Sequence, residues 1–177
     1  MSPPEPELRA RGSWPPPEGP RVAIVGSRRP SPYGEAVAEQ LALELAQAGV
    51  VVVSGLAMGI DAAAHRGALN AGGVTVAVMG TGVDIVYPAA HSMLAEAIVA
   101  GGGALVSQFP DGTVPRRHNF PARNHTIAAL SDVVIVVEAA EGSGALITAE
   151  AALQLHKELL VGFSGLVPAQ SRNLRTC

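Results

Sequence analysis

Apolar residues along this chain gather in short unbroken runs at 22–25, 50–53, 76–79, 104–106 and 133–137, and each run breaks off into a turn rich in small residues. Runs without polar alternation belong to strands covered on both faces, so we expect strands over 22–26, 50–54, 74–79, 104–107 and 133–137, and a last short one over 159–163. Between them the pattern changes to helical spacing. Val37, Leu41 and Leu45 recur over 33–48, Ser31 stands where an N-cap belongs, Pro32 takes the first helical position and Gly49 ends the run. Further helices are expected over 60–71, 91–100, 123–130 and 146–157. Strict alternation of strand and helix predicts an α/β domain of three layers, a Rossmann-like, mainly parallel sheet with helices on both faces. In such a sheet the turns that follow the strands share one edge, and ligands bind there.

The two ends of the chain depart from this pattern. Residues 1–20 hold Pro3, Pro4, Pro6, Pro15, Pro16, Pro17 and Pro20, a composition that favours an extended, poorly ordered arm, so the folded core is expected over 21–163. Residues 164–177 show no pattern, and we assign that tail no role. The longest turn, 108–122, lacks apolar periodicity, and loops of that length in compact domains usually serve function.

Composition narrows the functional classes. A length of 177 residues favours one domain, and 48% hydrophobic residues make it globular. No run of about 18 apolar residues occurs and the N-terminus lacks a basic stretch followed by a hydrophobic one, which is the expectation for a soluble, cytoplasmic protein without membrane contact. Cys177, the single cysteine, permits neither an internal disulfide nor a cysteine metal cage. A net charge of −3 excludes the global basic field of a DNA-coating protein. The cations are nevertheless concentrated: Lys157 is the sole lysine, and Arg28, Arg29, Arg116, Arg117 and Arg123 all fall in turns on the expected binding edge. Arginine offers phosphate a planar fork and can stack on bases, although solvated loops also carry arginine without function.

Several chemistries are excluded by what the turns lack. The first turn reads Gly26-Ser27-Arg28-Arg29-Pro30 and not G-x-G-x-x-G, and no acidic residue ends the second strand, which argues against a dinucleotide cofactor. No G-K-[ST] phosphate loop and no G-x-S-x-G nucleophile elbow occur. His65, His91, His118, His125 and His156 lack metal-ligand spacing. We therefore expect no catalytic residue, no metal and no cofactor. What the turns do offer is an anion site: Gly26 and Ser27, Ser54, Gly55 and Gly59, Gly80, Thr81 and Gly82, and Gly142, Ser143 and Gly144 all border the edge. At 54–61 the glycines and Ser54 read either as a cradle of backbone N–H groups for phosphate or as a tight turn capped by Asp61. Asp61 itself would repel a phosphate and is expected to be structural. Phe120, between Asn119 and Pro121 and close to Arg117, reads either as a base-stacking ring or as a buried one.

At these residues the chain resembles a known family. VAIVGSRRPSPYG, VVVSGLAMGIDAAAHRGAL, TVAVMGTGVDIVYP, FPDGTVPRRHNFPARNHTIAALSD and VVVEAAEGSGALITAEAAL are similar, in order and over about 22–160, to the blocks of the DNA-processing protein A (DprA/Smf) family. The resemblance implies a protein that binds and protects single-stranded DNA and helps load the RecA recombinase in natural transformation, with a homodimer possible. Carried over by position, Gly26, Ser27 and Arg28 would meet phosphate, Arg117 and Phe120 backbone and base, and Arg123 with Asn124 would shape the pocket. The chain departs from the family at Met58, His125 and Gly142, where a basic residue is common, and after Leu160. Two other readings stand beside this one: a nucleotide-binding sensor, and a nucleoside 5′-monophosphate phosphoribohydrolase of the same superfold. The stretch Glu141–Glu150 lacks the Pro-Gly-Gly run that such hydrolases carry.

Overall fold

The computed structural model describes residues 7–162. The tail over 164–177 lies outside these residues, as do the first six residues of the arm. Strands β1 (Arg9–Gly12), β2 (Arg21–Val25), β3 (Val51–Ser54), β4 (Thr75–Val78), β5 (Ala104–Ser107), β6 (Val133–Val136) and β7 (Glu158–Val161) form one sheet in the order β1-β5-β4-β3-β2-β6-β7. All neighbours are parallel except β1, which runs antiparallel to β5. The helices are α1 (Pro32–Gln47), α2 (Ile60–Asn70), α3 (Ser92–Ala100), α4 (Asn119–Ala129) and α5 (Gly144–Gln154). The expected three-layer α/β architecture is present.

Register assigns the faces. Val52 pairs with Thr75 and Ser54 with Ala77, so these residues share one side of the sheet, and Val53 with Val76 share the other. On the first side Val22, Ile24 and Val52 pack against Ala38, Ala42 and Ala46 of α1 and Ala63, Ala64 and Ala68 of α2. Ala77, Met79 and Leu105 continue that side under Ala95 and Ile98 of α3. On the second side Val25, Val53, Val78 and Val136 meet Ile127 and Ala128 of α4 and Ala145, Ala151 and Ala152 of α5. The helices bury alanine where the sequence pattern pointed to Val37, Leu41 and Leu45, which are only partly buried. Alanine lets α1 and α2 approach closely, and Gly67 fits against the Glu39 carbonyl where a side chain would collide.

The start of α1 follows its sequence: Ser31 Oγ accepts from Gly34 N at 3.0 Å, with Pro32 next. The arm does not. Residues 9–12 were expected within an extended arm and instead form β1, whose Arg9, Ala10, Arg11 and Gly12 pair with Ser107, Val106, Leu105 and Ala104. The reason is local: this tetrapeptide contains no proline, so all its amides can join the ladder, and β5 otherwise has an open edge. Trp14 packs on the core, Pro16 is buried and Arg11 pairs with Glu96. Two helices also begin away from their expected positions. The helix expected over 123–130 starts at Asn119, so the long turn is shorter than 108–122, and α5 starts at Gly144 instead of 146. Among the described residues, no helix is long and apolar enough to cross a membrane.

Candidate functional site

The parallel strands bring five turns to one edge, and the residues there divide into a contact layer and a supporting layer. Arg28, Arg29, Arg116 and Arg117 are exposed, and none has a side-chain hydrogen bond or ion pair among the described residues. Arg28 extends over Phe120, its guanidinium carbon 5.6 Å from the ring centre. With Ala57, Met58, Tyr87, Pro88 and Arg123, these two residues line a shallow depression of about 70 Å³. Beside it, Arg116, His118 and Asn119 border a wider groove of about 330 Å³ together with Asp111, Gly112, Thr113 and Val114.

The supporting layer contains residues expected to touch a ligand. Arg123 is only 4% exposed, and its Nη1 donates to the carbonyls of Gly55 at 2.5 Å and Val78 at 2.9 Å. Its Nε donates to Asn124 Oδ1, and Asn124 Nδ2 donates to the Gly144 carbonyl, which ties α4 to α5. Burial lowers the Arg123 pKa to about 10 while Asp61 raises it, so the guanidinium remains charged at neutral pH. Asn119 Nδ2 donates to the Gly80 carbonyl, and Thr81 Oγ1 to that of Ile85. Ser54, expected as an extra donor to phosphate, is fully buried and donates to the Ile24 carbonyl at 2.7 Å. Each of these five side chains spends its polar atoms on the protein itself and so holds the site together, and Arg123 and Asn119 also line its two depressions.

The expected backbone cradle is likewise filled from within. Asp61 Oδ2 accepts from Gly55 N at 3.1 Å and from Ala57 N at 3.4 Å. A Cβ on Gly55 would lie 2.6 Å from Asp61 Oδ2 and 2.8 Å from Arg123 Nη1, so the carboxylate and the guanidinium face each other across that glycine. Burial pushes the Asp61 carboxyl up, and Arg123 and the two amides pull it back. Gly59, at φ 82°, lets the turn reach α2, where Ile60 N donates to the Ser27 carbonyl. A second carboxylate serves α1: Glu138, at the end of β6, accepts from Ser31 N at 2.9 Å and Ser31 Oγ at 2.7 Å. Its backbone carbonyl accepts from Ser27 N at 2.5 Å, while Ser27 Oγ accepts from Arg29 N. Of the helix N-termini at the site, those of α1 and α2 therefore carry an internal anion. Of the two readings of 54–61, this geometry favours the capped turn.

Among the remaining predicted glycines, Gly26 and Gly80 are spacers. A Cβ on Gly26 would lie 2.6 Å from Ile60, and one on Gly80 would lie 2.9 Å from the Phe120 ring. Gly82 N donates to the Thr113 carbonyl, which holds the wide groove to the β4 turn. Gly142 and Gly144 are exposed, and Ser143 precedes α5 without a side-chain cap bond. Tyr87, Pro88 and Glu138 belong to the site and were not singled out from the sequence. For Tyr87 a signal was present: one of 2 tyrosines stands in the turn after β4, GVDIVYP.

Known proteins resemble this chain in sequence and in fold. The chain is 47% identical over 139 residues to Protein Smf of Escherichia coli K12, a match covering 78% of this chain and 37% of that one. It is 41% identical over 142 residues to DNA processing protein DprA of Bacillus subtilis 168, covering 80% and 48%. The chain thus spans between a third and a half of these curated relatives. The X-ray structure of DprA from Streptococcus pneumoniae superposes with a TM-score of 0.83 at 40% identity, over 90% of this chain and 56% of that one. DNA processing protein A from Helicobacter pylori, whose structure concerns a single-stranded DNA binding mode, superposes with a TM-score of 0.81 at 34% identity, over 91% and 74%. Molybdenum cofactor carrier protein from Chlamydomonas reinhardtii, with a TM-score of 0.58 at 20% identity, shares the fold alone. The model of the family described as DNA recombination-mediator protein A matches residues 1–176, and the chain belongs to that family.

Proposed function

We propose that this domain binds single-stranded DNA along the edge formed by the turns after β2 to β6, protects it, and helps load a RecA-type recombinase, without catalysing a reaction itself. One observation carries the reading. Four exposed arginines stand on this edge, with Arg28 over Phe120 of the Phe120–Tyr87 pair, while Glu138 caps the start of α1 and Asp61 takes the turn amides before α2 that could otherwise meet a phosphate. A nucleotide sensor or a phosphoribohydrolase grips its phosphate with such N-termini. A strand with many phosphates needs side chains that reach outward, and Arg28, Arg29, Arg116 and Arg117 reach outward. The unpaired bases meet the aromatic side, which explains a preference for single strands over duplex. Family membership, and the single-stranded DNA binding of the Helicobacter pylori relative, support the same reading. The recombinase role, a homodimer and a cytoplasmic location rest on the family alone.

The test uses Arg28→Ala and Arg117→Ala. Each should weaken binding to an oligothymidylate and flatten the log–log salt dependence by about 0.7, with the melting temperature unchanged. Loss of folding stability in step with binding in both variants would make these residues structural and overturn the assignment. Recombinase filament assembly on strands precoated with this protein tests the second half of the proposal.

A further inference from the structure

Phe120 is the obvious ring for stacking on a base, yet in this structure its surroundings are taken. Arg28 lies over it at 5.6 Å, Arg123 at 5.5 Å, Gly80 packs on its edge, and Tyr87 approaches with ring centres 5.7 Å apart and a tilt of 49°. Tyr87, by contrast, is 46% exposed, and the neighbouring Met58 is 48% exposed. We propose that Tyr87 is the ring that receives an unpaired base, with Met58 completing the seat, and that Phe120 is the hub that orients Tyr87 and Arg28 around it. The inference rests on the single-stranded DNA reading above.

Three features support it. The apolar seat lies in a rim of cations: Arg28 lines the same depression, so a base on Tyr87 places its phosphates within an arginine's reach. The turn carrying Tyr87 is held in advance: Thr81 Oγ1 donates to the Ile85 carbonyl at 2.6 Å on one side of it, and on the other His91 Nδ1 donates to the Leu56 carbonyl at 2.8 Å. Leu56 is a buried non-glycine residue at φ 59°, a conformation that persists only where its surroundings enforce it, and the His91 bond is one such constraint. A polarisable thioether beside an aromatic ring suits the face of any base, so the seat requires no particular sequence.

The experiment compares a fluorescently labelled oligothymidylate with an abasic strand of the same length, using anisotropy and the full chain. Tyr87→Ala should weaken binding to the oligothymidylate about tenfold, leave abasic binding and the salt slope at wild-type values, and be rescued by Tyr87→Phe. Phe120→Leu should lower both affinities, because Arg28 loses its platform. Tyr87→Ala with wild-type affinity for the oligothymidylate, or with equal losses on both strands, overturns the proposal while leaving the DNA-binding reading intact. Wild-type protein that binds neither strand overturns both.

Discussion

Arg28 and Arg123 carry the same group on the same edge of the sheet and do different work. Arg28 is exposed and can leave the Phe120 ring for a phosphate, whereas Arg123 is buried and gives its protons to the carbonyls of Gly55 and Val78. Arg123→Ala would leave those carbonyls and Asp61 without their cation, a loss of about 3 kcal/mol or more. Thermal or denaturant unfolding should therefore show Arg123→Ala strongly destabilised where Arg28→Ala is not. A second buried group sets the response to acid. Thr75 Oγ1 donates to the Val52 carbonyl and so accepts from His65 Nδ1, and His65 Nε2 has no hydrogen-bond partner among the described residues. Burial lowers the His65 pKa to about 3 from an ordinary 6.5, with His91, Arg123 and Arg66 adding to the shift. The unfolded chain then binds this proton first, so the stability His65 contributes is present above pH 6.5 and lost as pH falls towards 3, at up to about 1.4 kcal/mol per pH unit. Denaturant titrations across that range should lose this slope in His65→Gln, and an unchanged slope would assign acid sensitivity to other groups.

At the scale of elements, β1 is the informative case. It covers the edge of β5 with four residues, and Gly12 at φ 106° leaves no room for a side chain against Gly103. Removing residues 1–13 should expose that edge and drive concentration-dependent association, visible by light scattering, while the proposed DNA site on the turns after β2 to β6 stays functional. Loss of DNA binding by the remaining monomer would show instead that β1 supports the site. The same element marks what pattern reading can and cannot see. Uninterrupted valine runs announce doubly covered strands because nothing else in a soluble chain tolerates them. Arg-Ala-Arg-Gly has no such signature, and only the neighbouring open edge makes it a strand. At that edge, the turn arginines at 28, 29, 116 and 117 were legible as exposed, because loops on the carboxyl edge have little to bury. The burial of Asn119, Arg123 and Asn124 was not legible, because α4 begins four residues earlier than its periodicity indicates and directs those side chains into the crossing with β4 and α5. Asp61 was legible as structural from its charge alone. Its bonds to Gly55 and Ala57 come from a turn geometry that spacing does not encode.

At the scale of the whole molecule, a chain with a net charge of −3 is proposed to hold a polyanion, and the geometry reconciles the two. Of the acidic groups around the site, Asp61 is buried, Glu138 caps α1, Asp84 accepts from Gly112 N and Glu35 and Glu39 are engaged with Arg66, while Asp111 stays exposed at the border of the wide groove. The exposed arginines therefore act locally, over distances within a Debye length of about 10 Å at moderate salt. The most direct test of the central claim is fluorescence anisotropy of a labelled oligothymidylate titrated with this protein over a series of salt concentrations, with duplex DNA and a nucleoside monophosphate as competitors. We expect saturable binding whose log–log slope grows by about 0.7 for each arginine engaged, to roughly 3 if all four contact phosphate, and which neither competitor displaces. Binding that ignores salt, or that a mononucleotide displaces at equal concentration, would contradict the account and return the edge of the sheet to a small phosphorylated ligand.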